Sequence, residues 1–257
     1  MTSTTAPVAV ITGASRGIGR AIALTQAARG YDIVGTWVRD ESAANTLRDE
    51  ITAAGGRCVI HQADLADPDQ AAALVDSVSA EFGHADALVH SAGITSRGRH
   101  VADTTSDEVH RVVSVHALGA FYLCSGLAPL LRSSGNGRIV LLSSIATSNP
   151  AAGSAPYMMG KAALEALGQT LAVEEAPHGT RVNIVAPGLV STVMGDRLAR
   201  AVTGVGSATD LDSSMPFGRV TRPEDVAEVV AFLLSDGARQ ITGQRIEIHG
   251  GKPVISL

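Results

Sequence analysis

Short apolar, β-branched runs alternate with amphipathic segments along the chain. The first run, Pro7-Val8-Ala9-Val10-Ile11-Thr12, leads into Gly13-Ala14-Ser15-Arg16-Gly17-Ile18-Gly19. An amphipathic segment from Arg20 to Arg29 then ends at Gly30, and a second apolar run spans Asp32 to Val38. This is strand, glycine turn, helix, strand. The alternation continues. Helices are predicted over Leu47 to Ala54, Asp67-Pro68 to about Phe82, Asp107 to Leu131, Ser154 onward through Ala172, and Glu224 to Leu234. Strands are predicted over Arg57 to Gln62, Ala87 to His90, Arg138 to Leu142, Arg181 to Val185 and Gln244 to Ile248. Strands that alternate with helices imply a parallel sheet covered on both faces, an α/β doubly wound (Rossmann) fold. No linker, repeat or low-complexity tract divides the sequence, so residues 1–257 are expected to form a single domain.

Composition sharpens this picture. Apolar residues make up 45% and charged residues 18%, enough for a sizeable core, but only 3% are aromatic, so Ala, Val, Leu and Ile must fill it. A net charge of −5 argues against a nucleic-acid partner. Cys58 and Cys124 lack the spacing of a metal or redox motif and fit a reducing compartment. The N-terminus has no basic region followed by an apolar one, and no apolar run reads as long enough to span a bilayer. The expectation is a soluble cytoplasmic protein with no membrane partner and no metal.

In a doubly wound sheet a ligand lies across the C-terminal ends of the strands. The residues leaving those ends here are Gly13 to Gly19, Asp64, Ala92-Gly93, Ser144 and Pro187-Gly188. Gly13 lets the chain turn off the first strand, and Gly17 and Gly19 allow close approach of ligand and helix. The helix N-terminus then offers free N–H groups to a pyrophosphate. On the same side falls Ser154-Ala155-Pro156-Tyr157-Met158-Met159-Gly160-Lys161. Ser154 can cap this helix and Pro156 suits its first turn. Tyr157 and Lys161, four apart, share a face. A free phenol has a pKa of about 10, and an ammonium in hydrogen-bonding range would lower it by roughly 1–3 units. Such a tyrosine exchanges protons with an alcohol oxygen.

These pieces, in this order and spacing, resemble the short-chain dehydrogenase/reductase family. The resemblance rests on Thr12 to Gly19, Asp64-Leu65, Ala92-Gly93, Ser144, Tyr157 to Lys161, and Pro187-Gly188-Leu189-Val190-Ser191-Thr192. It implies that Tyr157 is the general acid/base, that Ser144 hydrogen-bonds the substrate oxygen, and that Lys161 holds the nicotinamide ribose and depresses the Tyr157 pKa. It also implies that Asp64 accepts from the adenine amino group with Leu65 beside it, and that Val190 and Thr192 meet the carboxamide. A homotetramer, built on the long helices and last strand, is part of the same expectation, with Val254-Ile255-Ser256-Leu257 as an apolar tail.

Two positions depart from the family pattern. His90-Ser91 stands where the family has Asn-Asn, and His116 stands where an Asn carbonyl holds a relay water. For His116 a tolerated swap, a modified proton relay and an impaired enzyme all remain open. His90 is expected to pack at its strand end. At the end of the second strand Trp37 takes the usual acid position. Arg39 and Arg16 suit a 2′-phosphate, while Asp40 is read as a cap for a helix beginning near Glu41. NADP is therefore expected, with NAD as the alternative. Val193 to Pro216 has the look of a substrate lid, whose Met194, Leu198, Val202, Leu211 and Met215 cover a substrate or pack on a helix. Thr95 to His100 and Asn149 to Gly153 supply further walls, and Arg97, Arg99 and Arg197 are isolated candidates for an acidic group. The resemblance implies NADP-dependent reduction of a ketone, and its likeness to the family's 3-oxoacyl-carrier-protein reductases, through Thr12 to Gly19 and Thr242-Gly243-Gln244, makes a 3-oxoacyl thioester the leading substrate. The alternatives are an NAD-dependent alcohol dehydrogenase and a dinucleotide-binding protein without turnover.

Overall fold

The computed structural model describes residues 6–251. Seven parallel strands form one sheet: β1 (Val8–Ile11), β2 (Asp32–Trp37), β3 (Cys58–Gln62), β4 (Ala87–His90), β5 (Arg138–Leu142), β6 (Arg181–Pro187) and β7 (Arg245–Ile248). Their spatial order is β3-β2-β1-β4-β5-β6-β7. The chain winds outward from β1 to β3, then returns to place β4 beside β1, which creates a switch point between those two strands. Side chains of β1 alternate between two cores. Ala9 and Ile11 join the layer under α1 (Gly17–Ala27), α2 (Glu41–Ala53) and α8 (Pro223–Leu234). Val8 and Val10 join the layer under α3 (Pro68–Phe82), α5 (Gly119–Ser133) and α6 (Ala155–Glu175). Strands buried on both faces explain the continuous apolar runs in the sequence.

The helix ends follow local chemistry. Asp67 caps α3 by accepting from the Asp69 amide at 3.0 Å, Pro68 occupies its first turn, and Gly83 stops it in a left-handed conformation. Asp40 caps α2, as read from the sequence, by accepting from the Ala43 amide at 2.9 Å. Ser154 does not cap α6, contrary to expectation. Its hydroxyl instead donates to the Ala151 carbonyl at 2.5 Å, which secures the loop ahead of the helix.

Three further differences concern regularity. The predicted Asp107–Leu131 helix is α4 (Ser106–Val113), a π-helical turn over Ser114–Leu118, and α5. This 28-residue stretch, Ser106–Ser133, is long and apolar enough to cross a membrane by length and composition, contrary to the expectation that no apolar run reaches that length. Half of its most apolar window is buried, because Leu123, Leu127 and Leu131 form core. The expected lid loop is largely ordered. It contains α7 (Val193–Thr203) and a 3-10 turn over Ala208–Ser214. Met215 and Leu211 pack with Ala199, Ala208 and Val220, whereas Met194 and Leu198 remain exposed. The tail Val254 to Leu257 lies outside the described residues.

The turn after β1 sets how closely α1 sits on the sheet. Gly13 has φ +64°, and a Cβ there would lie 3.1 Å from the Ala92 Cα; a Cβ at Gly19 would overlap the Gly13 carbonyl oxygen. Gly19→Ala is expected to lower unfolding free energy by about 1–3 kcal/mol through overpacking. Urea unfolding followed by circular dichroism checks this.

Candidate active site

Ser144 leaves β5 and begins a 3-10 turn, its Oγ accepting from the Ala146 amide at 3.2 Å. Tyr157 sits in the first turn of α6, half-buried, and Ser144 is near enough to draw its phenol pKa down. Lys161, one turn on, is 4% exposed. Its Nζ donates to the Leu142 carbonyl at 2.5 Å and lies 5.9 Å from the centre of the Tyr157 ring.

This geometry corrects the expectation that Lys161 depresses the Tyr157 pKa. The phenol is pushed up by burial, Ser144 pulls it partly back, and the ammonium is held by a backbone carbonyl instead. Lys161 itself is pushed down to about 7 by burial, with Glu165 acting in the opposite direction. A buried cation costs free energy even with a partner.

His116 lies in the π-helical turn and is 1% exposed. Its ring meets Tyr157 edge-on, with centroids 5.2 Å apart and planes at 87°. Nε2 lies 2.7 Å from the Ile94 carbonyl oxygen and 3.3 Å from the Ile94 amide. Donation to the carbonyl assigns the proton to Nε2. A Cβ at Gly93 would stand 2.6 Å from the His116 Cε1, so this glycine makes room for the ring. Burial, followed by the Lys161 charge, holds the His116 pKa well below its ordinary value. The sequence-based idea that His116 titrates near neutrality is thus corrected, and a relay through its imidazolium loses its footing. His90 is fully buried as expected, pushed down to about 3 by burial. Its Nδ1 lies 3.3 Å from the Thr12 hydroxyl, which also accepts from the Ser91 and Ala92 amides at 3.0 and 2.9 Å.

The residues read as a dinucleotide cradle converge on the switch point. Gly13 abuts Ala92, and Gly17 abuts the Thr192 methyl. No side chain caps α1 and its first turn holds no carboxylate, so its free N–H groups suit an anionic ligand. Ser15 is buried in the turn and Ile18 packs on the core. Thr192 caps α7, accepting from the Gly195 amide at 3.0 Å, and Val190 is buried beside Thr221. Pro187 closes β6, and Gly188 donates from its amide to Ile248 at 2.8 Å. The Leu65 side chain is core, so only its backbone is left to line a cleft. These groups fit a dinucleotide. Arg16 and Arg39 are exposed and make no ion pair among the described residues. Asp64 was read as an adenine acceptor, but its carboxylate is held by Arg111 at 2.8 Å and by the Ala66 amide at 3.2 Å. Nothing in the linear pattern links Arg111, on α4, to Asp64 in the turn after β3, so this partnership has no sequence signal.

A family model described as Enoyl-(Acyl carrier protein) reductase matches residues 13–252. The chain belongs to the short-chain dehydrogenase/reductase family. It is 34% identical over 252 residues to a 3-oxoacyl-[acyl-carrier-protein] reductase of Synechocystis sp., covering 98% of each chain. Its fold is similar to that of levodione reductase, with TM-score 0.89 and 28% identity over 96% of this chain and 97% of that one. NAD+-bound xylitol dehydrogenase gives TM-score 0.87 and 30% identity over 95% and 98%. As a short-chain dehydrogenase/reductase, the chain is an NAD(P)-dependent oxidoreductase.

Two outcomes test this geometry. Gly93→Ala forces a methyl into the His116 ring and is expected to cost about 1–3 kcal/mol of stability. In a His116→Ala background the cost should largely vanish, as a double-mutant cycle by urea unfolding will read. Lys161 gives a pH signature. An unfolded lysine keeps its proton up to about 10.5, whereas the folded one releases it at about 7. Between these values the unfolded chain binds more protons, so stability rises with pH across the window. Lys161→Met lacks that dependence. Its stability relative to wild type is most favourable below about pH 7 and falls as pH rises towards about 10.5, measured by unfolding across that range.

Proposed function

We propose that this chain reduces a ketone to a secondary alcohol with NADPH, and that its leading substrate is a 3-oxoacyl thioester. The observation that carries the reading is the meeting of Ser144 and Tyr157 at the strand ends, above Lys161 and beside the His116–Gly93 floor. The residues at the switch point would hold NADPH, which would supply a hydride for the carbonyl carbon. Ser144 donates to the substrate oxygen and steadies its developing charge. Tyr157 delivers the proton to that oxygen. Burial raises the phenol's pKa, so it holds the proton that the reduced oxygen takes up. His116 remains neutral and orients the Tyr157 ring by edge contact.

Arg16 and Arg39, exposed and free of carboxylate partners among the described residues, support recognition of a 2′-phosphate. Asp40, the nearest carboxylate in sequence to the β2 end, is engaged as the α2 cap. The thioester follows from what the Synechocystis relative is named for. An NAD-dependent alcohol dehydrogenase is the second reading, favoured by the similarity to NAD+-bound xylitol dehydrogenase. Residues 1–257 act as one unit, with 193–216 as its cover. Exposed Leu118, Phe121, Val173 and Phe232 suit assembly into a homotetramer, and the buried free cysteines suit the cytoplasm.

NADPH oxidation with a panel of ketones and 3-oxoacyl thioesters, read by nicotinamide absorbance, tests the proposal. Tyr157→Phe keeps the packing and is expected to lower kcat by about a hundred- to ten-thousand-fold. Unchanged turnover would overturn the role given to Tyr157. Arg39→Ala is expected to weaken NADPH roughly tenfold, while NADH affinity is unaltered. Equal affinity of the wild type for both cofactors would favour the second reading.

A further inference from the structure

Glu165 lies on α6, one turn beyond Lys161, and its side chain is 15% exposed. Its Oε1 accepts from the Ser143 hydroxyl at 2.5 Å and from Arg245 Nε at 2.8 Å, and lies 2.9 Å from the Thr147 hydroxyl. Arg245 comes from β7, two strands away from β5, and reaches back across β6. Its Nη2 donates to the Ser144 carbonyl at 3.2 Å and to the Thr147 hydroxyl at 2.8 Å, while Nη1 pairs with Glu247. The partners of this ion pair are thus the residue before Ser144, Ser144 itself, and the end of the turn that Ser144 opens.

We propose that Glu165 and Arg245 are positioning residues that fix the Ser144 hydroxyl relative to Tyr157. The inference rests on the reading that Ser144 and Tyr157 perform the chemistry. One end of the clamp grips the segment 143–147, and the other is built into the helix that carries Tyr157 and Lys161. Helix and segment therefore move as one body. An ordinary surface ion pair contributes little because water and side-chain freedom offset it. This pair is sheltered, charge-assisted and shared with a hydroxyl and a carbonyl that flank a reacting group. Glu165 also favours the charged form of Lys161, so the same carboxylate bears on both partners of Tyr157. A displacement of about 1 Å at such a site can cost a hundredfold in rate.

The test uses the full-length protein with Glu165→Gln, Arg245→Gln and Tyr157→Phe. Glu165→Gln and Arg245→Gln are each expected to lower kcat by roughly ten- to a hundredfold. The KM for the ketone and the NADPH dissociation constant, read by nucleotide fluorescence, should stay within about twofold of wild type. Hydrogen exchange of segment 143–148, followed by mass spectrometry, should rise in both variants. Exchange is also the readout if no ketone in the panel is turned over. Wild-type kcat with unchanged exchange would overturn the clamp. So would a fall in kcat matched by an equal rise in KM and an equal weakening of NADPH binding, the mark of general unfolding. If Tyr157→Phe retains activity while segment 143–148 loosens in the Gln variants, the catalytic reading fails and the mechanical linkage stands.

Discussion

A positive charge buried beneath a helix has to be satisfied by a group that is also buried, and here that group is a backbone carbonyl at the end of a strand. Lys161 on α6 donates to Leu142, the last residue of β5. One turn later Glu165 receives the hydroxyl of Ser143, the next residue along. Two charged side chains on one helix face therefore grip two successive residues of one strand exit. Tyr157 precedes this pair on the helix and Ser144 follows it on the strand, so the separation between the two hydroxyls is set by the same attachment. The burial that pushes the Lys161 amine down to about 7 is the energetic consequence of placing the grip in the interior.

Beside this attachment lies a second buried polar layer, made of His90 and His116. Both rings are neutral, and each is tied to the strand-exit backbone: His90 through the Thr12 hydroxyl, His116 through Ile94. An imidazole is larger than the asparagine side chain it replaces in the family pattern. The π-helical turn at Ser114–Leu118 and the bare backbone at Gly93 admit it without displacing Tyr157. The two histidines act as spacers and hydrogen-bond anchors in the floor of the site, and neither carries charge to it.

Much of this could be read from the residues. The alternation of apolar runs defines a parallel sheet, and the positions where those runs end gather Gly13, Asp64, Ala92, Ser144 and Pro187 on one side. Asp40 was readable as a helix cap because an acid just ahead of an amphipathic run has a local role. The fate of the Tyr157 pKa was not readable. Spacing places Lys161 on the same face, but only packing decides whether its ammonium turns to the phenol or to a carbonyl. For the same reason Arg111 on Asp64 and Arg245 on Ser144 were invisible: each partnership joins elements distant in sequence. The ordered character of 193–203 was masked by the glycines and serines that follow it.

Lys161 and Lys252 are the only lysines of the sequence, so the protonation of the buried amine can be followed directly. Nitrogen-15 labelling of lysine, with Lys252→Arg to assign the signals, yields a titration curve for Lys161 alone. An amine enclosed by α6 and held on Leu142 titrates at about 7. An amine that titrates near its ordinary value of 10.5 would contradict the burial of this charge, and with it the account of the attachment.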